Sequence, residues 1–171
     1  LIIFFILSSD RVIGIEENAS SLKSYGVKYE QIDLIGDEFD TEKIVNRVDQ
    51  GNVKLICMQR SRGYALRKSL SLESIKNIIS KIREVNKEAI IMVDNCYGEL
   101  VDTIEPTSLG ADLIVGSLIK NLGGGLAPNG AYIAGRKDLV ELASERLTVP
   151  DNSSTSFKSS IYICIYFSSF S

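Results

Sequence analysis

Apolar runs of strand length alternate with amphipathic segments of helix length along this chain. That alternation is the signature of a mostly parallel sheet flanked by helices, an α/β architecture. The runs predict strands at residues 11–15, 29–34, 53–59, 89–95, 112–118 and 131–135, several of them apolar on both faces, as a covered sheet requires. Helices are expected at 40–49, at 71–85, and from 137 to about 147. In the second of these, Ile75, Ile78, Ile79 and Ile82 recur at helical spacing behind Ser71 or Leu72. Connections are mostly short, so the sheet is open, and in open α/β sheets ligands sit outside the carboxyl ends of the strands.

Two segments break the pattern. Residues 1–10 open with LIIFFIL, and residues 151–171 hold a serine- and aromatic-rich tail whose IYICIYF core has the β-propensity and low charge of an aggregation-prone strand. Both read as atypical ends on a partial domain at 11–150, and the initial Leu1 suggests a chain that begins inside a longer reading frame.

Composition narrows the chemistry. The chain has 171 residues, 44% hydrophobic and 24% charged, with a net charge of -3, which supplies no footprint for nucleic acid. LIIFFIL is shorter than the roughly 20 apolar residues a membrane span needs, and it lacks signal-peptide flanks. Cys57, Cys96 and Cys164 form no CxxC pair, which fits a reducing, cytoplasmic setting. Histidine is absent altogether, which removes Ser-His-Asp and Cys-His catalysis and most zinc coordination, and no metal site is expected.

At three expected strand ends polar residues appear where the apolar run stops: QRSRGY from Gln59, DNCYGE from Asp94 and GSLIKN from Gly116. Alone, Asp94 reads as a strand-end acid capping a loop and Lys120 as a surface lysine. Together, Asp94, Tyr97, Ser117 and Lys120 place an acid at one strand end and an amine about one βαβ step later, with a serine three residues before the amine. An amine in an apolar site can lose its proton and attack an aldehyde to form a Schiff base, while a carboxylate opposite can keep a pyridine nitrogen protonated. Those are the two protein groups that pyridoxal 5'-phosphate most needs. Gln59 is a plausible hydrogen-bonding neighbour of the ring. Arg60 and Arg62 read equally as binders of a substrate carboxylate or phosphate and as solvated loop charges. Cys96 reads as an inert buried thiol, Gly123, Gly124 and Gly125 as a turn or a close approach to ligand, and Glu99, Asp102 and Glu105 as a solvated acidic loop.

The stretch from VDNCYGE through GSLIKNLGGGLAPNGAYIAGRKDLVE, with QRSRGY upstream, resembles the methionine gamma-lyase related proteins often labelled aluminium resistance proteins, which are fold type I pyridoxal phosphate enzymes. The resemblance covers about residues 12–150. It implies an aspartate aminotransferase-like large domain, incomplete here, with Lys120 as the Schiff-base lysine and Asp94 as partner of the pyridinium nitrogen. It further implies Ser117 at the cofactor phosphate and Tyr97 at the ring's 3-hydroxyl. The activity implied is carbon-sulfur lysis of a sulfur-containing amino acid by α-proton abstraction and elimination, in a homodimer or higher homo-oligomer. A central fragment of the large domain is expected to be weak or inactive alone. Two other readings stand beside it. One is a degenerate, non-catalytic α/β domain. The other is a serine acyl enzyme, because Ser117 to Lys120 also spells SxxK, although neither SDN nor KTG occurs and Ser20 to Lys23 spells SxxK too.

Overall fold

The computed structural model describes residues 2–5, 22–148 and 162–166. Seven strands form one sheet: β1 (Ile2–Phe5), β2 (Tyr29–Gln31), β3 (Leu55–Gln59), β4 (Ile90–Asp94), β5 (Leu113–Ser117), β6 (Ala131–Gly135) and β7 (Tyr162–Tyr166). Their order is β2-β1-β3-β4-β5-β6-β7. β1 to β5 run parallel, β6 is antiparallel to β5, and β7 is parallel to β6. The mostly parallel α/β sheet expected from the apolar runs is therefore present.

The helices are α1 (Thr41–Asp49), α2 (Leu72–Val85) and α3 (Lys137–Thr148). α2 forms because its apolar positions fall on one stripe and its first turn is capped. Ser71 Oγ accepts from the Ser74 N–H at 3.0 Å, and Ile75, Ile78, Ile79 and Ile82 are all buried. α1 repeats the device, with the Asp40 carboxylate accepting from Lys43 N–H at 3.1 Å and Ile44 and Val48 buried. The two helices pack together, and their stripes join Ile56, Met58, Ile91, Val93 and Ile114 in one apolar core.

Burial alternates along β4. In β4, Ile91 and Val93 are fully buried, while Ile90, Met92 and Asp94 on the other face are half-buried. Asp112, just before β5, ties the opposite edge of the sheet together. It accepts from the Ile91 N–H at 2.7 Å, from Arg83 of α2 at 2.6 Å and from Arg136, at the start of α3, at 3.1 Å.

Two expectations about elements change. The run Ile2–Phe5, set aside as atypical, pairs in parallel with both β2 and β3, and the tail contributes β7 beside β6. The strand expected at 11–15 lies outside the described residues. The strand expected at 29–34 keeps only Tyr29–Gln31, because Ile32 leaves the ladder to join the core.

Candidate functional site

Parallel pairing in register sets the candidate residues side by side. Gln59 stands opposite Asp94, and Asp94 opposite Val115, so the ends of β3, β4 and β5 share one edge and Ser117 lies two residues beyond Val115. After Ser117 the chain turns at once, because the Lys120 N–H donates to the Ser117 carbonyl at 3.3 Å. The next turn closes with the Gly124 N–H on the Lys120 carbonyl at 3.1 Å. These two turns bring the lysine back over the β4 loop.

There its Nζ lies 4.6 Å from the centre of the Tyr97 ring, a cation–π contact. Tyr97 reaches this position from a left-handed backbone, φ 66°, unusual for a non-glycine residue. The Cys96 thiol is within hydrogen-bonding reach of both Asp94 and Lys120, and the Cys96 N–H donates to Asp94 Oδ1 at 3.0 Å. Amine, thiol, phenol ring and carboxylate thus form one cluster.

The electrostatics of this cluster correct one expectation. Burial pulls the Lys120 amine down, but its hydrogen bond to Cys96 and the charges of Cys96, Tyr97 and Asp94 outweigh it, so its pKa ends above the ordinary lysine value. The amine is not neutralised by an apolar site, as the sequence suggested; it is held as an ammonium beside a carboxylate. Burial, then the hydrogen bond and charge of Asp94, raise the Cys96 thiol, against the opposing pull of Lys120, which agrees with an inert thiol.

The other candidates are placed differently. Ser117 is half-buried at the end of β5. Gln59 is 8% exposed and directs its amide into its own loop, donating to the Ser61 carbonyl at 3.3 Å. Arg60 is neither a solvated charge nor turned toward a substrate. It is 6% exposed, and its Nη1 donates to Asn95 Oδ1 at 3.0 Å and to the Gly98 carbonyl at 2.9 Å, while Nη2 pairs with Asp102. Arg62 is exposed in the following loop.

Of the acidic run, Asp102 is exposed as expected, but Glu99 and Glu105 are not solvated. Glu99 is 3% exposed and accepts from the Tyr132 hydroxyl at 3.0 Å. Glu105 accepts from Asn95 Nδ2 at 2.7 Å and from the Leu100 N–H at 3.1 Å. These acids hold the β4 loop from behind. Of the three glycines, Gly123 is fixed by a close approach, since a Cβ there would collide with the Leu118 carbonyl. Gly124 and Gly125 adopt positive φ with open space around them. They serve the turn that presents Lys120.

An open, mostly parallel sheet whose carboxyl edge gathers an amine, a carboxylate and a phenol defines the class of protein: an aminotransferase-like α/β fold. An aspartate aminotransferase from Thermus thermophilus shares it at a TM-score of 0.54 and 19% identity, covering 76% of this chain and 33% of that one. The sequence profile of the methionine gamma-lyase family matches residues 8–166, and the chain belongs to that family. The match runs past Pro150 into β7, farther than the motifs alone reached. The protein YnbB of Bacillus subtilis is 42% identical over 144 residues, covering 82% of this chain and 34% of its own length. The structure of a carbon-sulfur lyase involved in aluminum resistance, from Clostridium novyi NT, superposes with a TM-score of 0.79 at 44% identity, covering 87% of this chain and 37% of that one. The chain therefore spans about a third of the length of these relatives. Among the described residues no helix is long and apolar enough to cross a membrane, and no group of side chains could hold a metal ion.

Proposed function

We propose that this chain supplies the cofactor-holding centre of a pyridoxal phosphate-dependent carbon-sulfur lyase that acts on a sulfur-containing amino acid. The observation that carries the reading is the convergence of Lys120 with Asp94 through Tyr97 and Cys96 at the ends of neighbouring strands. The donor set fits such a group. It offers an amine for an aldehyde, a carboxylate for a ring nitrogen, and a half-buried hydroxyl, Ser117, at the adjoining strand end for a phosphate. When bound, pyridoxal phosphate supplies an electron sink for the electrons left at the substrate's α-carbon.

The chain's own residues perform the remaining tasks. Lys120 is held charged in the chain alone, so it must first release a proton, to the Asp94 carboxylate or to solvent. With the cofactor held, Lys120 Nζ would be the group that removes the substrate's α-proton. Asp94 would face the ring nitrogen, and Tyr97 lies against the amine. Arg62, the exposed member of the arginine pair, meets the substrate carboxylate. The edge is rimmed by exposed Tyr64, Leu66, Leu100, Val101, Leu122 and Leu126. That apolar rim supports a homo-oligomer, in a cytoplasmic setting, in which another subunit covers the site.

The acyl-enzyme reading of SxxK loses ground, because the Lys120 amine is drawn to Cys96, Tyr97 and Asp94 rather than to Ser117. To test the lyase reading, pyridoxal phosphate is added to the purified chain and the mixture is reduced with borohydride. A visible-edge absorbance band and a reduced adduct on the Lys120 peptide are expected. No adduct, or an unchanged one in Lys120→Ala, sinks the reading and leaves a domain that does not take the cofactor.

A further inference from the structure

We propose that Glu99 is a positioning residue for Lys120, clamping the turn that carries the amine to β6 and to the loop after β4. The inference deepens the proposed function, since it takes Lys120 as the reactive amine.

Three contacts meet at Glu99. Its Oε1 accepts from the Tyr132 hydroxyl of β6 at 3.0 Å. Its main-chain carbonyl accepts from Nδ2 of Asn121, the residue next to Lys120, at 3.0 Å. Its carboxylate also packs on Gly116, the residue before Ser117, where a Cβ would stand 2.5 Å from Oε1 and collide with the Tyr132 ring. One residue thereby fixes the end of β5, the facing strand and the lysine turn together.

The cost of this arrangement argues for a role beyond packing. Glu99 Oε2 is buried and, among the described residues, has no hydrogen-bond partner. A buried carboxylate oxygen without a donor destabilises the fold, and an apolar residue there would avoid the penalty. Two residues near it, Tyr97 at φ 66° and Leu100 at φ 61°, carry left-handed backbone, and Glu105 holds the second through the Leu100 N–H at 3.1 Å. Strain and an orphaned acid gathered under one amine mark a site held for its geometry.

Releasing the clamp lets the lysine turn drift from Tyr97. The groups that face the amine are Asp94, Cys96 and Tyr97, all on the β4 side. Away from them its pKa falls back toward the ordinary lysine value, so more of it is neutral and nucleophilic near pH 7.

The test uses the full chain without cofactor, so that it stands or falls apart from cofactor binding. Lysines are trace-acetylated with acetic anhydride near pH 7, and Lys120 is read against exposed Lys76 of α2 by mass spectrometry. Asn121→Ala removes the main-chain link at an exposed position, and Tyr132→Phe removes the donor to Oε1. Each is expected to raise the Lys120 to Lys76 ratio about fivefold, the equivalent of one net hydrogen bond. Glu99→Gln keeps an acceptor for Tyr132 and is expected to stay within about twofold of the parent, since the same bond persists. An unchanged ratio in both Asn121→Ala and Tyr132→Phe, whatever happens to their stability, overturns the proposal. A shifted ratio in a chain that takes no pyridoxal phosphate upholds the clamp and removes the cofactor.

Discussion

Replacing Arg60 with alanine is the sharpest probe of how the edge is built. The guanidinium is 6% exposed and donates to two acceptors, Asn95 Oδ1 at 3.0 Å and the Gly98 carbonyl at 2.9 Å, besides pairing with Asp102. Truncation leaves Asn95 Oδ1 unsatisfied, at about 1–3 kcal/mol, while the Gly98 carbonyl keeps the Val101 N–H at 3.4 Å. The Asp102 side chain is 47% exposed and rehydrates, so the ion pair adds well under about 1 kcal/mol. The sum is a loss of about 1–4 kcal/mol, a sizeable share of the roughly 5–15 kcal/mol that holds an ordinary domain together. Arg60→Lys recovers at most about a third, because one ammonium cannot reproduce a planar fork that serves three acceptors. Urea unfolding followed by circular dichroism, with the slope unchanged between variants, measures the difference. A loss of less than about 0.5 kcal/mol in Arg60→Ala, the range of an ordinary surface change, would refute the argument and return Arg60 to the list of substrate contacts.

Two further outcomes follow from burial and close approach. Burial, helped by the Asp94 charge, pushes the Cys57 thiol from 9.0 up to about 12. The folded chain therefore keeps that proton longer than the unfolded chain. The stabilisation is complete below about pH 9 and is lost as pH rises toward about 12, at about 1.4 kcal/mol per pH unit and about 4 kcal/mol in all. Cys57→Ala should flatten that part of the pH–stability curve, and an identical slope in parent and variant counts against the argument. Gly116→Ala drives a Cβ against Tyr132 and Glu99 and should cost about 1–3 kcal/mol by overpacking. A calorimetric midpoint equal to that of the parent would show that the strand end has room to spare.

The central strands were legible because each apolar run is bounded by polar residues, and α2 because four isoleucines and a capping serine agree with one another. The shared edge of Gln59, Asp94 and Val115 could also be read, since strand ends in a parallel sheet lie side by side. Other features were not legible, each for a physical reason. A run such as Ile2–Phe5 carries no sign of which strand will accept it, because the pairing that makes it β1 comes from Tyr29–Gln31 and Leu55–Met58 far along the chain. Glu99 looked solvated because the partner that buries it is remote: Tyr132 lies 33 positions away, while Asp102 stays exposed as it pairs with Arg60, 42 positions away. One signal was available and unused. Gly116 interrupts an otherwise apolar strand, and a glycine there marks the close approach of another group, here Glu99 and Tyr132. The left-handed Tyr97 and Leu100 had no such marker, because glycine or asparagine would be expected at those angles.

The site divides mechanically into a fixed half and an adjustable half. On the carboxylate side, Arg60, Asn95, Glu99, Glu105 and Tyr132 are joined through hydrogen bonds that lock the β4 loop, so Asp94 stands on a rigid base. On the amine side, Lys120 rides on turns that end in Gly124 and Gly125, at positive φ with nothing crowding them, and Asn121 is the tether back to the base. Under the proposed function, a lysine that forms and releases a bond to an aldehyde would need freedom to swing, whereas an acid facing a ring nitrogen would need none. Substitutions at Arg60, Asn95 and Glu105 should therefore register mainly as lost stability, and substitutions at Tyr132 and Asn121 as altered amine reactivity.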